Sequence, residues 1–377
     1  MALRGKRKDR TGTDGNGLNR TEPDNGKHVS EIPWEAEKDY GPYGEPEKPV
    51  MLDIFITHWT EAWEIGKKAF DILALQRMVD WDEIRVWLVH DGSDIYPNSY
   101  FSHCPFVVNQ VKLPHGGIAA ARNWGIEHGT GAWIKWCDFD DMLEGVYSLK
   151  RVMDALHEAE NFDLLWFEMT AEDTRDPKAD LIMRDERGPV LIHNKVFRRR
   201  FLQEHRIRYN EELTWCEDSA FLAVVEMEID HKKIGRIKGD MPIYAWIVRD
   251  GSLCNRKEIQ FENAKSFFKR HRYVQEEFRK RGFMGPYYVM TIRIMADCYK
   301  QLHIDGYETN LEEYEREIGA YWKEHRKDFL KVDAERMDWA IAAVEREGQC
   351  RIDREKLKGW LREMTAKYGG KEEAKDV

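Results

Sequence analysis

The densest carboxylate cluster in the chain is Asp138-Phe139-Asp140-Asp141, directly after the apolar run Trp133–Cys137. Three carboxylates so close repel one another unless a cation or water relieves the charge. Oxygen ligands suit Mg²⁺ or Mn²⁺, and Mg²⁺ is held by one or two carboxylates together with substrate phosphates. The bland alternative is an acidic turn ahead of the helix expected near Gly145. A second candidate, His90-Asp91-Gly92-Ser93-Asp94, follows the apolar run Ile84–Val89. Asp91 can accept hydrogen bonds from a base or ribose, or it can close a tight turn. In a third, Gly116 and Gly117 open a run of small residues containing Arg122 and Asn123. Backbone amides at such a helix start can face an anion, the G-K-[ST] of a P-loop is absent, and the small residues serve close packing equally well. The fourth is Trp215-Cys216-Glu217-Asp218, which leads into a helical run from Ser219. Carboxylates there are stabilised by the helix dipole, or Asp218 is a general base.

These residues need elements to position them. Strands are expected at 51–57, 84–89, 106–111, 133–137 and 163–169, with helices at 62–73, 117–128 and 149–156. Such alternation predicts a mostly parallel sheet covered on both faces. Ligands of such sheets bind beyond the carboxyl ends of the strands, here just after Thr57, Val89 and Cys137. Past residue 170 the pattern loosens. A hairpin or loop is expected over 180–194, helices over 196–205 and 219–228, and strands over 233–237 and 243–248. From 257 onward apolar residues fall at helical spacing, as at Phe261, Ala264 and Phe268. Residues 304–377, with 19 acidic and 15 basic side chains, read as two or three amphipathic helices with charged outer faces.

The 377 residues are 42% hydrophobic and 34% charged, enough apolar material for a sizeable core. A wholly disordered chain is therefore excluded. Residues 1–49 hold seven of the 27 glycines and five of the 12 prolines without apolar periodicity, and are expected to form a disordered N-terminal tail. A net charge of −10 argues against global attraction to nucleic acid. No run approaches the eighteen or so apolar residues of a transmembrane helix, and no apolar stretch of a secretory signal follows the basic N-terminus. The six cysteines form no C-x-x-C pair, so reduced thiols and a cytoplasmic location are expected.

Taken in order along the chain, the four candidates resemble the family 2 glycosyltransferases of the GT-A fold. The matching segments are Asp91-Gly92-Ser93, Gly117 to Gly125 containing Ala121-Arg122-Asn123, Asp138-Phe139-Asp140-Asp141, and Glu217-Asp218-Ser219-Ala220-Phe221. Secondary matches are Asn194 to Arg199 and Pro242-Ile243-Tyr244, with Arg249 to Ser252 after them. The resemblance covers about residues 50–255. It implies an α/β, Rossmann-like GT-A domain over 50–255, followed by an α-helical C-terminal region over 256–377. It implies inverting, metal-dependent transfer of a sugar from a nucleotide-sugar to an acceptor hydroxyl. By the resemblance, the D-x-D carboxylates Asp138 and Asp140 bind Mn²⁺ or Mg²⁺. Thr57, Trp59, Asp91, Arg122 and Asp138 lie along the nucleotide-sugar, Asp218 is the base, and Glu217 stands beside it.

Two departures fall where the base should sit. The usual Pro-x-Tyr-Asn is Thr57-His58-Trp59-Thr60, and the usual Asp-Asp-Gly-Ser is His90-Asp91-Gly92-Ser93. A UDP-sugar is the default donor, with Trp59 as a substitute stacking surface. Trp215 and Trp246 are candidate acceptor contacts, or core residues. The basic stretches around Arg198–Arg208 and residues 257–283 could face a carbohydrate or polyanionic acceptor, or touch a membrane surface or nucleic acid peripherally; a solvated helix face explains them too. Two rival functions remain: a nucleotidyltransferase using the same metal logic, and an inactive GT-A scaffold acting as an interaction module.

Overall fold

The structure is a computed structural model that describes residues 49–175, 182–184, 191–239, 241–249, 260–305 and 311–369. The expected tail at 1–49, apart from its last residue, and most of the expected 180–194 hairpin or loop lie outside the described residues. Strands β1 (Leu52–His58), β2 (Ile84–Asp91), β3 (Val108–Leu113) and β4 (Trp133–Asp138) alternate with helices α1 (Trp63–Ala74) and α2 (Ile118–His128). There follow β5 (Met142–Leu143), α3 (Ser148–His157), β6 (Leu164–Trp166), β7 (Met169–Asp173), β8 (Ile182–Arg184) and β9 (Lys195–Arg198). Next come α4 (Arg199–Glu204), α5 (Glu217–Glu228), β10 (Ile234–Arg236) and β11 (Tyr244–Val248). Five helices close the chain: α6 (Gln260–Lys280), α7 (Met284–His303), α8 (Leu311–Phe329), α9 (Ala334–Gly348) and α10 (Arg354–Tyr368).

The main sheet has seven strands in the order β10-β6-β9-β4-β1-β2-β3, all parallel except β9. A smaller sheet, β5-β11-β7-β8, stands beside it. Period-two alternation explains the layers. From β1, Leu52, Ile54 and Ile56 point to one face and pack with Phe70 of α1 and Leu149, Val152 and Leu156 of α3. Phe55 points to the other, with Ala121 and Ile126 of α2, Leu202 of α4 and Phe221 of α5. Both faces are buried, as a parallel sheet requires. The closing helices bury a separate cluster that includes Met295, Trp322, Ile341 and Leu361. Leu213, Ala220, Val274 and Phe283 seat α5 on α6.

Two expectations need correction. The helix expected over 196–205 is strand β9 followed by the short α4. Val196 and Phe197 are fully buried between β4 and β6, and four residues are too few for periodicity to separate strand from helix. The strand expected over 163–169 is two strands, β6 and β7, which belong to different sheets.

Candidate active site

At the carboxyl end of β4, Phe139 turns inward and Asp138 and Asp140 turn out of the core. Phe139 is buried against Gly66 of α1, where any Cβ would lie 2.1 Å from its ring. Only glycine fits there, so the middle residue of the D-x-D fixes the aim of its neighbours. Asp141 points down into the fold. It accepts from the Tyr244 hydroxyl and from the Ile247 amide of β11, both at 2.8 Å. Asp140 accepts from Arg249 Nε at 2.8 Å.

Asp138 is held from two sides. Arg122 Nη2 donates to Oδ1 at 3.0 Å, and His193 Nε2 lies 3.0 Å from Oδ2. His193 was not singled out by sequence. It is placed by β9, whose antiparallel register pairs Trp133 with Arg198 and Ile134 with Phe197. Continued outward, that register sets residue 193 opposite residue 138. The buried Lys135 secures the same point by donating to the His193 carbonyl at 2.5 Å. A signal existed: a histidine just before a strand-like Lys-Val-Phe-Arg. Reading that segment as helix concealed it.

Arg122, from the first turns of α2, is 1% exposed and lies beneath the carboxylates. Its Nη1 donates to Glu217 at 3.0 Å and also to Asp218. One buried guanidinium thus ties the end of β4 to the start of α5. Cys216 precedes α5 in the left-handed region at φ 64°, a conformation disfavoured for residues with a Cβ, and it turns the chain so that Glu217 and Asp218 both reach Arg122.

The electrostatics follow from crowding. Burial alone would raise the Asp138 carboxyl, but His193 and Arg122 hold it well below the usual range. Burial resists the charge on His193, and Asp138 overrides it, so the imidazole is held above its ordinary value. Asp141 is pushed up to about 8 by burial, with Asp138 and Asp140 adding to the push and His193 opposing it. Burial, then Asp138, also raises Asp140. Glu217 is pushed up to about 7 by burial and by Asp218. Burial raises Asp218 against the pull of Arg122 and His193.

This donor set fits a divalent cation. Ligand atoms of Asp138, Asp141 and His193 lie within 4.8 Å of one another. The buried His193 Nδ1 has no hydrogen-bond partner among the described residues. Asp140 is outside that trio and bonded to Arg249, although it is the next residue but one along the same turn.

Of the remaining expected site residues, Thr57 and Asp91 lie at the carboxyl ends of β1 and β2, and Trp59 just beyond β1. Thr57 is buried near the end of β1. Trp59, 43% exposed, stacks on His115 with centroids 5.2 Å apart. Asp91 is largely enclosed and accepts from the Gly116 and Gly117 amides at 2.7 and 3.0 Å, with His115 Nδ1 2.9 Å away. Its carboxylate therefore pins the glycine turn ahead of α2. Trp215 and Trp246 are half-buried, the first two residues before Glu217 and the second beside Ile247 in β11.

Residues 53–216 match the family model described as Glycosyl transferase family 2. No curated protein matches the chain. Among solved structures, S. aureus TarS aligns over 86% of this chain and 55% of its own, at TM-score 0.56 and 18% identity. The present chain thus spans about half the length of that protein. TarS 1–349 in complex with UDP-GlcNAc aligns over 86% of this chain and 92% of its own, at TM-score 0.57 and 16% identity. At such identities these matches establish the shared fold.

Proposed function

We propose that this chain, whose residues 53–216 match the Glycosyl transferase family 2 model, catalyses inverting, metal-dependent transfer of a sugar from a UDP-sugar to an acceptor hydroxyl. The observation that carries the reading is the Arg122 guanidinium, bonded at once to Asp138 on the donor side and to Glu217 and Asp218 on the other. A displacement at a sugar carbon needs a leaving-group site and a base, and one buried cation would orient both here. TarS 1–349 has been crystallised with UDP and with UDP-GlcNAc, which makes these the first ligands to test.

In this reading residues 50–255 form the transferase domain and 256–377 a helical region. Asp138 and Asp140 would hold Mn²⁺ or Mg²⁺, with Asp141 and His193 within reach of the same ion. When bound, the ion neutralises charge developing on the leaving diphosphate. Thr57, Trp59 and Asp91 line the nucleotide end, and Trp59 offers an exposed aromatic face to a base. Asp218 takes the proton of the acceptor hydroxyl onto its carboxylate. Its raised pKa makes it a stronger proton acceptor once ionised, and Arg122 keeps it oriented. Glu217 stands on the acceptor side with Trp215, and Trp246 lies on the rim formed by β11.

The test is a panel of nucleotide-sugars with Mn²⁺ or with EDTA, scored by thermal stabilisation and by the nucleotide released. Stabilisation by a UDP-sugar only with metal, and release of UDP on turnover, is the expected result. Release of pyrophosphate would establish the nucleotidyltransferase instead. Failure of every nucleotide-sugar to bind would leave the scaffold reading.

A further inference from the structure

The two departures from the family pattern, at His58 and His90, meet in the fold. The residues stand side by side at the ends of β1 and β2, with Nδ1 of one ring 3.0 Å from Nδ1 of the other. Both are nearly sealed from solvent, at 4% and 0% exposure. Their outer nitrogens each face an acceptor. His90 Nε2 lies 3.1 Å from Gln110 Oε1. That amide is oriented by its other bonds: its Nε2 donates to the Tyr96 carbonyl and to Asn98, and its Oε1 accepts from the Tyr96 amide. His58 Nε2 lies 2.9 Å from the Glu61 carbonyl, which also accepts from the Tyr96 hydroxyl at 2.8 Å.

These contacts fix a proton count. A ring nitrogen facing a carbonyl oxygen must carry hydrogen, and two ring nitrogens in contact need one hydrogen between them. Two outer bonds and one inner bond therefore require three ring protons on the pair, hence one positive charge. With one fewer, a lone pair faces an oxygen, or two lone pairs face each other at 3.0 Å. Ser93 Oγ, 2.9 Å from His58 Nδ1, can donate or accept and leaves the count unchanged. Burial pushes His90 down to about 4 against its Gln110 bond, and the His58 charge adds to the push; the extra proton therefore belongs to His58. Among the described residues no carboxylate pairs with either ring. Of the charged groups around them, Asp94 and Lys112 pair with each other at 2.5 Å. The Glu61 carboxylate accepts from the Trp59 amide, and Glu64 of α1 faces Tyr96. From beyond β4 it is the Phe139 ring that packs on His58.

What this charge holds is the turn that carries Trp59. The His58 ring ties back to the carbonyl three residues on, and the Glu61 carboxylate closes the same turn on the Trp59 amide at 3.0 Å. We propose that His58 and His90 are a positioning pair for the donor's base: one shared positive charge fastens the Trp59 turn to the end of β2, and loss of its proton to solvent releases the turn. The assignment rests on the reading of Trp59 as the surface under the base. It adds that donor affinity depends on pH through two side chains buried away from the donor.

The experiment uses the full chain. Ring protons are counted by long-range proton–nitrogen NMR at about pH 6.5, near the ordinary imidazole value, with His58→Gln and His90→Asn assigning the two rings. Three protons on the pair are expected, and two would overturn the proposal. UDP and inorganic pyrophosphate, each with Mn²⁺, are then titrated by calorimetry at about pH 6.5 and about pH 8.5, on either side of imidazole titration. Pyrophosphate reports the metal end alone. Relative to it, wild-type affinity for UDP should fall about tenfold as pH rises, the worth of one hydrogen bond to a charged group. His58→Gln keeps a donor toward the Glu61 carbonyl that does not titrate, so it should bind UDP without the fall. His58→Leu should bind UDP about tenfold more weakly at both pH values and pyrophosphate as wild type does. No fall in wild type, or an equal fall in His58→Gln, would overturn the pair's role. Wild type that binds pyrophosphate but not UDP, with three protons still on the pair, would instead overturn the UDP reading on which the role rests.

Discussion

His193 Nε2 lies 3.0 Å from Asp138 Oδ2, although 55 residues of chain separate them. The contact depends on β9 running against its neighbours, which delivers His193, two residues ahead of the strand, to the end of β4. It gives Asp138 a cationic partner besides Arg122, and that partner can titrate.

His193→Gln should therefore weaken the site in a pH-dependent way. His193 is held above its ordinary pKa, so its charged pairing stabilises the fold at pH values below about 6.5 and fades as pH rises through the raised value. Asp138 is held below its ordinary pKa, so its contribution is present above about pH 4 and fades only as pH falls further. The variant should lose most thermal stability between those limits, near pH 5–6, and least once the pH exceeds the raised imidazole value. A loss independent of pH would remove the ion pair as its cause.

Asp140→Ala should abolish metal-dependent binding of UDP. Calorimetry with UDP and Mn²⁺ is the measurement, and unchanged affinity would shift the metal to Asp138, Asp141 and His193 alone.

For Asp218→Asn, transfer should fall by about 10²–10⁴-fold with donor KM nearly unchanged, the mark of an interaction used in the transition state. The wild-type kcat/KM should fall on acidification, with an apparent pKa near 7 belonging to the Glu217–Asp218 pair. Glu217→Gln removes the neighbouring charge and should move that limb to lower pH. A dead Glu217→Gln beside an active Asp218→Asn would exchange the two roles.

Asp297 of α7 offers a test remote from the site. Burial pushes its carboxyl up to about 6, with Glu347 and Asp305 helping and Lys300 and Arg293 opposing. The His271 imidazole lies 3.7 Å away, and Gln301 Nε2 donates to it at 3.0 Å. The folded state therefore retains this proton longer than the unfolded chain, and stability declines as pH rises from about 4 to about 6. Asp297→Asn removes that decline. Denaturant titrations should show the variant gaining on wild type across this window, by an amount on the order of 3 kcal/mol, with the gain level at higher pH. An equal change at pH 4 and pH 8 would point to packing instead.

Much of the scaffold was legible because its signals are strong. Leu52–His58 and Trp133–Asp138 are apolar runs of strand length, and α1 and α3 carry clear helical spacing. The order of D-G-S, the Ala-Arg-Asn segment, D-x-D-D and Glu-Asp pointed to the ends of β2 and β4 and the starts of α2 and α5, which the structure brings together through Arg122 and Asp91. What escaped was long-range. Whether Arg122 faces a ligand or lies under three carboxylates depends on where α5 starts relative to β4, and no local pattern encodes that. His193 escaped because β9 is four residues long and its strand character comes from burial between two neighbours.

The reversed direction of β9 also bears on how this scaffold can diversify. Asp173 and His193 are both moored by strands, one in the small sheet and one at the mouth of the site. Between them Ile182–Arg184 form β8 and pair with Met169–Ala171 of β7, so these two strands of the small sheet are built from chain that leaves the main sheet after β6 and rejoins it at β9. Side chains on that small sheet can change without disturbing the register that brings His193 to Asp138, while the Arg122 junction stays as it is.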